Sequence, residues 1–256
     1  EGDPAGEHWE QPLYPWHAAY CGDVDLTGLR KPISHYRSLL WNGQSSEPLY
    51  MAVQEPDGWQ GKVKTTMWGT WPTFESWNWP GWEGKPVEVE VYTKAPEVSL
   101  YLNDKLIGTK AVGEDTQYKA TFTLPYTAGT LRAVAAGKSA YLHTAGKPAK
   151  LRLTADKTVI APDGQDLSFI TVEVVDKDGR VCPEAAIACN VGVTGQGQLM
   201  AAASANLKDM EPSTSPDVTT WKGRALIVVR SSGKKGKVNV EVSSGLPVAK
   251  LSLEAK

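Results

Sequence analysis

The chain has 256 residues, 41% of them apolar, with 27 Lys and Arg, 29 Asp and Glu, four His and three Cys. This length exceeds one ordinary domain and favours two. A formal net charge of −2 argues against nucleic acid or an anionic membrane as partner, since neither would find a broad basic face. No apolar run approaches the roughly 20 residues that a membrane-spanning helix needs.

The first residues lack the basic end and apolar core of a signal peptide, and position 1 is not Met. We therefore expect a piece processed or excised from a longer polypeptide. Tryptophan is also distributed unevenly, because nine of the ten lie in the first 82 residues and only Trp221 lies beyond. We expect the first third of the chain to pack against something different from the rest.

The first predicted element is a helix over residues 31–41, with a Pro in its first turn, where the missing N–H costs nothing. Ile33, Tyr36 and Leu40 share one face at helical spacing, and Asn42-Gly43 supplies a left-handed stop. One helix of about three turns cannot hold a core alone. It must dock on the following domain or on a partner.

A tryptophan-rich segment follows, with Trp77, Trp79 and Trp82 close together in residues 76–84. Indole faces stack on sugar rings and indole N–H groups donate to hydroxyls, so these three are the candidate substrate-binding residues. The other interpretation, which the sequence favours, is that Trp77 and Trp79 share a strand face and are buried in packing.

From residue 85 the apolar period changes from 3.6 to 2. In Pro86–Tyr92 three Val face one side, while Glu88 and Glu90 face the other, which we expect to be solvated like Glu83 nearby. The predicted strands are 86–92, 98–102, 105–108, 118–124 and 131–135, with a tight reversal at Asn103-Asp104. Short strands separated by frequent turn signals predict an antiparallel β-sandwich.

A second sandwich is predicted after a linker at residues 143–149, which has no periodicity. Its predicted strands are 151–153, 167–175, 187–193, 225–229, 238–242 and 251–253. Residues 201–220, rich in Ala, Ser, Pro and Asp, are predicted as a long surface loop. Strands without helices over about 100 residues are typical of an immunoglobulin-like topology.

The sequence offers little sign of catalysis or metal binding. It has no phosphate-cradling glycine loop, no His-Glu-x-x-His, no Cys-x-x-Cys and no Gly-x-Ser-x-Gly. The four His are scattered, so we predict no catalytic residue, no metal site and no cofactor. Cys182 and Cys189 could meet across a bend, but buried unpaired thiols are the favoured interpretation.

Three ordered motifs resemble glycoside hydrolase family 2. Residues 20–41, with Gly-Asp-Val-Asp-Leu-Thr-Gly-Leu-Arg-Lys-Pro, resemble the end of its catalytic barrel and the last barrel helix. Residues 76–84 and 87–108 resemble the sandwich that follows the barrel in bacterial β-galactosidase-type members. Residues 153–169 resemble the final immunoglobulin-like domain of the same enzymes.

The resemblance implies a mainly β fold, with two tandem immunoglobulin-like sandwiches preceded by a short helical remnant of a (β/α)₈ barrel. It divides the chain into residues 1–46, 47–146 and 147–256. Trp9, Trp16 and Tyr36 are then the residues expected to pack against the barrel.

Members of this family are retaining glycosidases whose two catalytic glutamates lie on barrel strands ahead of the last helix. The resemblance places neither glutamate in this chain, so it implies a non-catalytic C-terminal part of an exo-glycosidase, β-galactosidase being expected. The alternatives are a carbohydrate-binding module on Trp77, Trp79 and Trp82, or a purely structural spacer. The expected partner is the missing barrel of the same polypeptide, with glycans as a second candidate, no nucleic acid and no membrane span. A periplasmic or secreted parent is expected.

Overall fold

The structure, a computed structural model, describes residues 15, 21–41, 48–59 and 72–256. It has two compact units, Glu1–Thr144 and Ala145–Lys256. The boundary expected between residues 46 and 47 lies outside the described residues and stays a prediction. No helix in the described ranges is long and apolar enough to cross a membrane.

In its described residues, the first unit is one helix followed by two four-stranded antiparallel sheets. Its elements are α1 (Pro32–Trp41), β1 (Leu49–Gln54), β2 (Thr73–Phe74), β3 (Pro86–Thr93), β4 (Glu97–Leu102), β5 (Lys105–Ala111), β6 (Lys119–Pro125), β7 (Thr130–Ala135) and β8 (Lys138–His143). The sheets have the orders β2-β1-β3-β6 and β5-β4-β7-β8. Their inner faces share one apolar core, in which Val89 of β3 meets Leu100 of β4 and Leu131 of β7.

The second unit is an all-strand sandwich of a five-stranded and a four-stranded sheet. Its strands are β9 (Lys150–Ala155), β10 (Val159–Ile160), β11 (Leu167–Val175), β12 (Ala188–Gly195), β13 (Gly197–Ala203), β14 (Asp217–Thr219), β15 (Arg224–Ser231), β16 (Gly236–Ser243) and β17 (Ala249–Ala255). The sheets have the orders β10-β17-β16-β12-β14 and β13-β15-β11-β9. Val172, Val191, Ile227 and Val240 meet in the core between them.

These two sandwiches confirm the predicted fold class. The loop predicted over residues 201–220 is partly wrong, because β13 extends to Ala203 and β14 occupies Asp217–Thr219. Alanine is a poor strand former, but β13 is held by pairing with β15 along its length. Pro216 lies just before β14, where its missing N–H removes no ladder bond.

The cysteines are all unpaired. Cys182 and Cys189 are buried and Cys21 is exposed. Burial raises the pKa of each buried thiol to about 11, so both remain protonated at neutral pH and pack as small apolar groups.

Candidate functional site

The motif ahead of α1 is a folded turn stabilised by its own polar groups. One oxygen of the Asp25 carboxylate, Oδ1, accepts hydrogen bonds from the N–H groups of Thr27 and Leu29 at 2.8 and 3.1 Å, and from the Thr27 hydroxyl at 2.7 Å. Buried Lys31 donates to the carbonyl of Cys21 at 2.9 Å, and Arg37 of the helix pairs with Asp23. The motif that carries the family resemblance therefore positions the helix.

Helix α1 lies on the outer face of the sheet that contains β1 and β3. Leu39, 4% exposed, forms a small apolar cluster with Tyr50, Ala52 and Tyr92, and Tyr36 packs against it. Tyr50 and Ala52 alternate on β1, and Tyr50 is paired with Tyr92 of β3, so the three side chains share one face of the sheet. A ten-residue helix is marginal by itself, and this cluster is what holds it in place.

Aromatic contacts extend the interface between α1 and the sheet. The rings of His35 and Tyr50 are stacked with centroids 4.1 Å apart and an interplanar angle of 6°. The rings of Tyr36 and Tyr92 meet at 4.9 Å, and the Tyr36 hydroxyl donates to the carbonyl of Gln117 at 2.6 Å. At the C-terminal end of the helix, Lys94 Nζ donates to the carbonyl of Leu40 at 3.3 Å.

A buried carboxylate lies beside this aromatic layer. Glu90 is 6% exposed, and its Oε1 accepts a hydrogen bond from Gln54 Nε2 at 2.6 Å. Its Oε2 accepts one from the Tyr92 hydroxyl at 2.5 Å and lies 3.2 Å from Lys119 Nζ. Both carboxylate oxygens are thus satisfied, as a buried charge requires.

The expectation that Glu90 faces solvent is therefore wrong. Glu90 and Tyr92 point to the same face of β3, opposite the valines, and helix α1 packs on that face beside them. Glu83 and Glu88 are exposed, as expected, because the cover does not extend to them.

This environment fixes the protonation of two tyrosines. Burial strongly raises the pKa of Tyr92, and the adjacent Glu90 carboxylate raises it further. The same two causes, in the same order, raise the pKa of Tyr36. Both hydroxyls therefore remain donors at neutral and mildly alkaline pH, that of Tyr92 to Glu90 and that of Tyr36 to the carbonyl of Gln117.

The contacts of Tyr36 within the first unit are defined, and its expected packing against the barrel stays a prediction. Its ring packs on Tyr92 and its hydroxyl bonds to the sandwich, so it faces the first unit's own sheet. The buried residues of α1 are Pro32 and Leu39, the latter three residues beyond Tyr36 on the same face, whereas Ile33 and Leu40 are half-buried. Trp9 and Trp16, expected to face the barrel as well, lie outside the described residues.

Two of the three candidate sugar-stacking tryptophans lie in the core. Trp77 and Trp79 are 0% and 2% exposed. Trp77 Nε1 donates to the carbonyl of Thr127 at 3.0 Å, and the ring lies edge-on to Tyr126 at 5.1 Å. Trp79 meets Trp59 edge-on at 5.0 Å. Neither ring presents a face to solvent, so Trp77 and Trp79 do not form the expected sugar-stacking surface together with Trp82.

Trp82 differs from these two, since it is half-buried. Its Nε1 donates to the carbonyl of Pro86 at 3.0 Å, and Lys85 Nζ lies 4.2 Å from its ring centroid. The indole N–H and one ring face are thus already used by the protein. Trp82 as a sugar contact stays a prediction.

The sequence reasoning did not identify Tyr50, Gln54, Tyr92 and Lys119 as one cluster. A signal for part of it was present, since Glu90 and Tyr92 occur at alternate positions opposite the valines of β3. Nothing local indicated that β1, whose residues include Tyr50 and Gln54, pairs beside β3. The contacts are long-range in sequence and are visible only in the fold.

Comparisons with known proteins agree with this architecture. Residues 151–252 match the glycoside hydrolase family 2 C-terminal domain 5, and residues 84–140 match a domain of unknown function, DUF4982. A β-galactosidase of Bacteroides ovatus, BoGH2A, is 30% identical over 262 residues, covering 100% of this chain and 27% of that protein. A β-glucuronidase of Formosa agariphila is 32% identical over 117 residues, covering 42% of this chain and 11% of that protein.

A solved structure gives the same result for the whole fold. A glycosyl hydrolase family 2 member from Bacteroides cellulosilyticus is 33% identical, with a TM-score of 0.88 over 99% of this chain and 34% of that chain. The chain thus spans only 27% and 34% of the two relatives that it matches along its length. It belongs to glycoside hydrolase family 2, of which it represents the C-terminal region.

Proposed function

We propose that this chain is the non-catalytic C-terminal part of a retaining exo-glycosidase that degrades β-galactosides. The observation that carries the proposal is the match of the entire chain to 27% of a protein named β-galactosidase. In the family resemblance, the two glutamates belong to barrel strands ahead of the helix corresponding to α1. The catalytic barrel is then the partner of this chain within one polypeptide.

The mechanical role that we assign to the first unit is to fix the sandwich rigidly to the end of the barrel. The helix corresponding to the last barrel helix, α1, is held by the Leu39 cluster, by the stacked His35 and Tyr50 rings and by the bond from Tyr36 to Gln117. The fully hydrogen-bonded Glu90 carboxylate beside it favours one packing of this interface over alternatives. Such an interface would hold the sandwich in a fixed position relative to the barrel and would take no part in catalysis.

Two buried acidic groups of the described residues, Glu90 and Asp176, support a structural role. Glu90 is saturated by protein donors, and so is Asp176 of the second unit, which accepts from the N–H groups of Gly146, Asp178 and Arg180. A general acid or nucleophile has to reach a substrate, whereas these carboxylates are used to hold loops and strands.

The proposed substrate class rests on how much of the chain each relative covers. The protein named β-galactosidase aligns with all of the chain, while the one named β-glucuronidase aligns with 42% of it. The test is to express the longer polypeptide and compare p-nitrophenyl β-galactoside with p-nitrophenyl β-glucuronide. We expect kcat/KM to be at least about tenfold higher for the galactoside, a difference of about 1.4 kcal/mol. A preference for the glucuronide would contradict the substrate assignment and leave the architecture intact.

We also propose that the parent enzyme is exported, to the periplasm or beyond. Cell fractionation of the source organism with an antibody against this chain tests the proposal. Recovery only with cytoplasmic markers would contradict it.

A further inference from the structure

The outer face of the five-stranded sheet in the second unit forms an open groove with a volume of about 720 Å³. Its central row crosses three strands: Gly192 of β12 is paired with Glu241 of β16, and Glu241 with Lys250 of β17. The groove lies on the solvent side, because the alternate residues Val191 and Val240 point into the core. Its volume lies within the range of roughly 300–1,000 Å³ that is typical of small-molecule sites.

Gly192 has no structural reason to be glycine. Its φ is not positive, and the pairing of β12 with β16 runs through it without a bulge. A Cβ atom at this position would meet only the Glu241 carbonyl oxygen, at an ordinary contact distance of 3.9 Å. Glycine inside a strand costs about 0.5–1 kcal/mol relative to alanine. Glycine inside a strand marks a bulge, a tight bend or a close approach of a ligand or another backbone, and β12 has no bulge at Gly192.

The groove is lined by hydroxyls and carboxamides on both sides of this central row. They belong to Asn190, Thr194, Asn239, Ser243 and Ser252. Each of these groups combines donor and acceptor capacity, as sugar hydroxyls do. Two contacts already orient them: Asn190 Nδ2 donates to Asp217 at 2.7 Å, and Ser252 Oγ donates to Asn239 Oδ1 at 3.4 Å.

The charge of the groove limits its occupant. Lys250 and Glu241 are the charged residues among those that line it, and they pair with each other at 2.8 Å, so the formal charge of the lining is zero. A polyanion such as nucleic acid would find no excess of cations here. Val240 and Leu251 are the apolar residues of the lining besides Gly192, so a lipid or an apolar helix would have to cover amides, hydroxyls and one ion pair.

We infer that this groove is a binding site for a neutral saccharide chain, with Gly192 as the floor on which one sugar ring rests. The hydroxyls and carboxamides on both sides supply hydrogen bonds to sugar hydroxyls, and the charge-neutral lining matches an uncharged ligand. The inference goes beyond the proposed function and does not depend on it, since a spacer or an enzyme part could equally carry such a site.

The test uses the purified full chain, ¹⁵N-labelled, titrated with β-1,4-galactotetraose and cellotetraose at millimolar concentrations. We expect amide chemical-shift changes confined to β12, β16 and β17 with at least one of these probes. Gly192→Thr places a side chain on the floor and should weaken binding at least about tenfold. Because threonine favours strands, the same variant should unfold at an equal or higher urea concentration than the parent chain.

The control is Thr171→Ala, a half-buried position on the outer face of β11 in the opposite sheet, which should leave the affinity unchanged. The opposite signs expected for binding and stability separate groove filling from general damage to the fold. Equal affinity of Gly192→Thr and the parent chain would overturn the inference, as would the absence of shifts with either saccharide. Shifts at these strands that depend only on protein concentration would identify a contact between two copies instead.

Discussion

Replacing Tyr92 by Phe tests whether the Glu90 network stabilises the first unit. The substitution removes one hydroxyl that donates to Glu90 Oε2 at 2.5 Å and leaves the ring in place. A hydrogen bond to a buried charged group contributes about 1.5–3 kcal/mol. Gln54 and Lys119 still contact the carboxylate after the change, so we expect a loss of about 2 kcal/mol in the free energy of unfolding.

Urea unfolding followed by tryptophan fluorescence measures this loss selectively, because nine of the ten Trp lie in the first 82 residues. With a urea dependence of about 2 kcal/mol per M, the midpoint of Tyr92→Phe should fall by about 1 M. The control is Tyr141→Phe, since that side chain is 52% exposed and its midpoint should shift by less than about 0.25 M. Equal midpoints for the two variants would refute the reasoning, because Glu90 would then gain nothing from the buried hydroxyl.

Three other predictions concern pH and docking. Because the pKa of Tyr92 is higher in the folded chain, its stabilising effect is complete below about pH 10 and is lost above it. Above that pH the free energy of unfolding should fall by up to about 1.4 kcal/mol per pH unit because of this group. If the free energy of unfolding of Tyr92→Phe fell with pH as steeply as that of the parent chain, the prediction would be contradicted. Leu39→Ala should lower the free energy of unfolding by about 2–3 kcal/mol and speed amide hydrogen exchange throughout α1. The control Trp41→Ala, at a 74% exposed position, should do neither. Equal exchange in both variants would show that the Leu39 cluster does not hold the helix. Burial disfavours the charged form of Asp176, but three backbone N–H donors outweigh it and hold the pKa of this carboxyl below its usual value. The contribution of Asp176 to the stability of the second unit should therefore be complete above about pH 4 and be lost as the pH is lowered further. Acid titration followed by circular dichroism should show a weaker pH dependence for Asp176→Asn. The same acid transition in both proteins would contradict this prediction.

The period-2 alternation was sufficient to predict most of the sandwich strands. In β3 and β16 every second residue is an apolar core residue, and the reversal at Asn103-Asp104 has φ angles of 49° and 63°, as a two-residue hairpin turn requires. The strands that were not predicted include β2 and β10, with two residues each, and the alanine-rich β13. Such short or weakly patterned strands are specified by their partners rather than by their own sequence.

The candidate site was less predictable, because it depends on which sheet face another element covers. Alternation places Glu90 opposite the valines of β3, and a polar residue there normally faces water. Helix α1, which lies about 50 residues earlier in the chain, packs on the tyrosines beside Glu90. The face of β3 that carries Glu90 is therefore buried. Similarly, aromatic composition suggested sugar stacking for Trp77 and Trp79, while their contacts with Thr127 and Trp59 show that they fill the core.

The measurement that tests the central claim most directly is turnover of p-nitrophenyl β-galactoside by the purified chain alone. We expect release of p-nitrophenol at the same rate as in a blank that contains the same chain kept unfolded in urea. Saturable release that rises in proportion to the concentration of folded chain would contradict it, because this polypeptide would then contain its own pair of catalytic carboxyl groups.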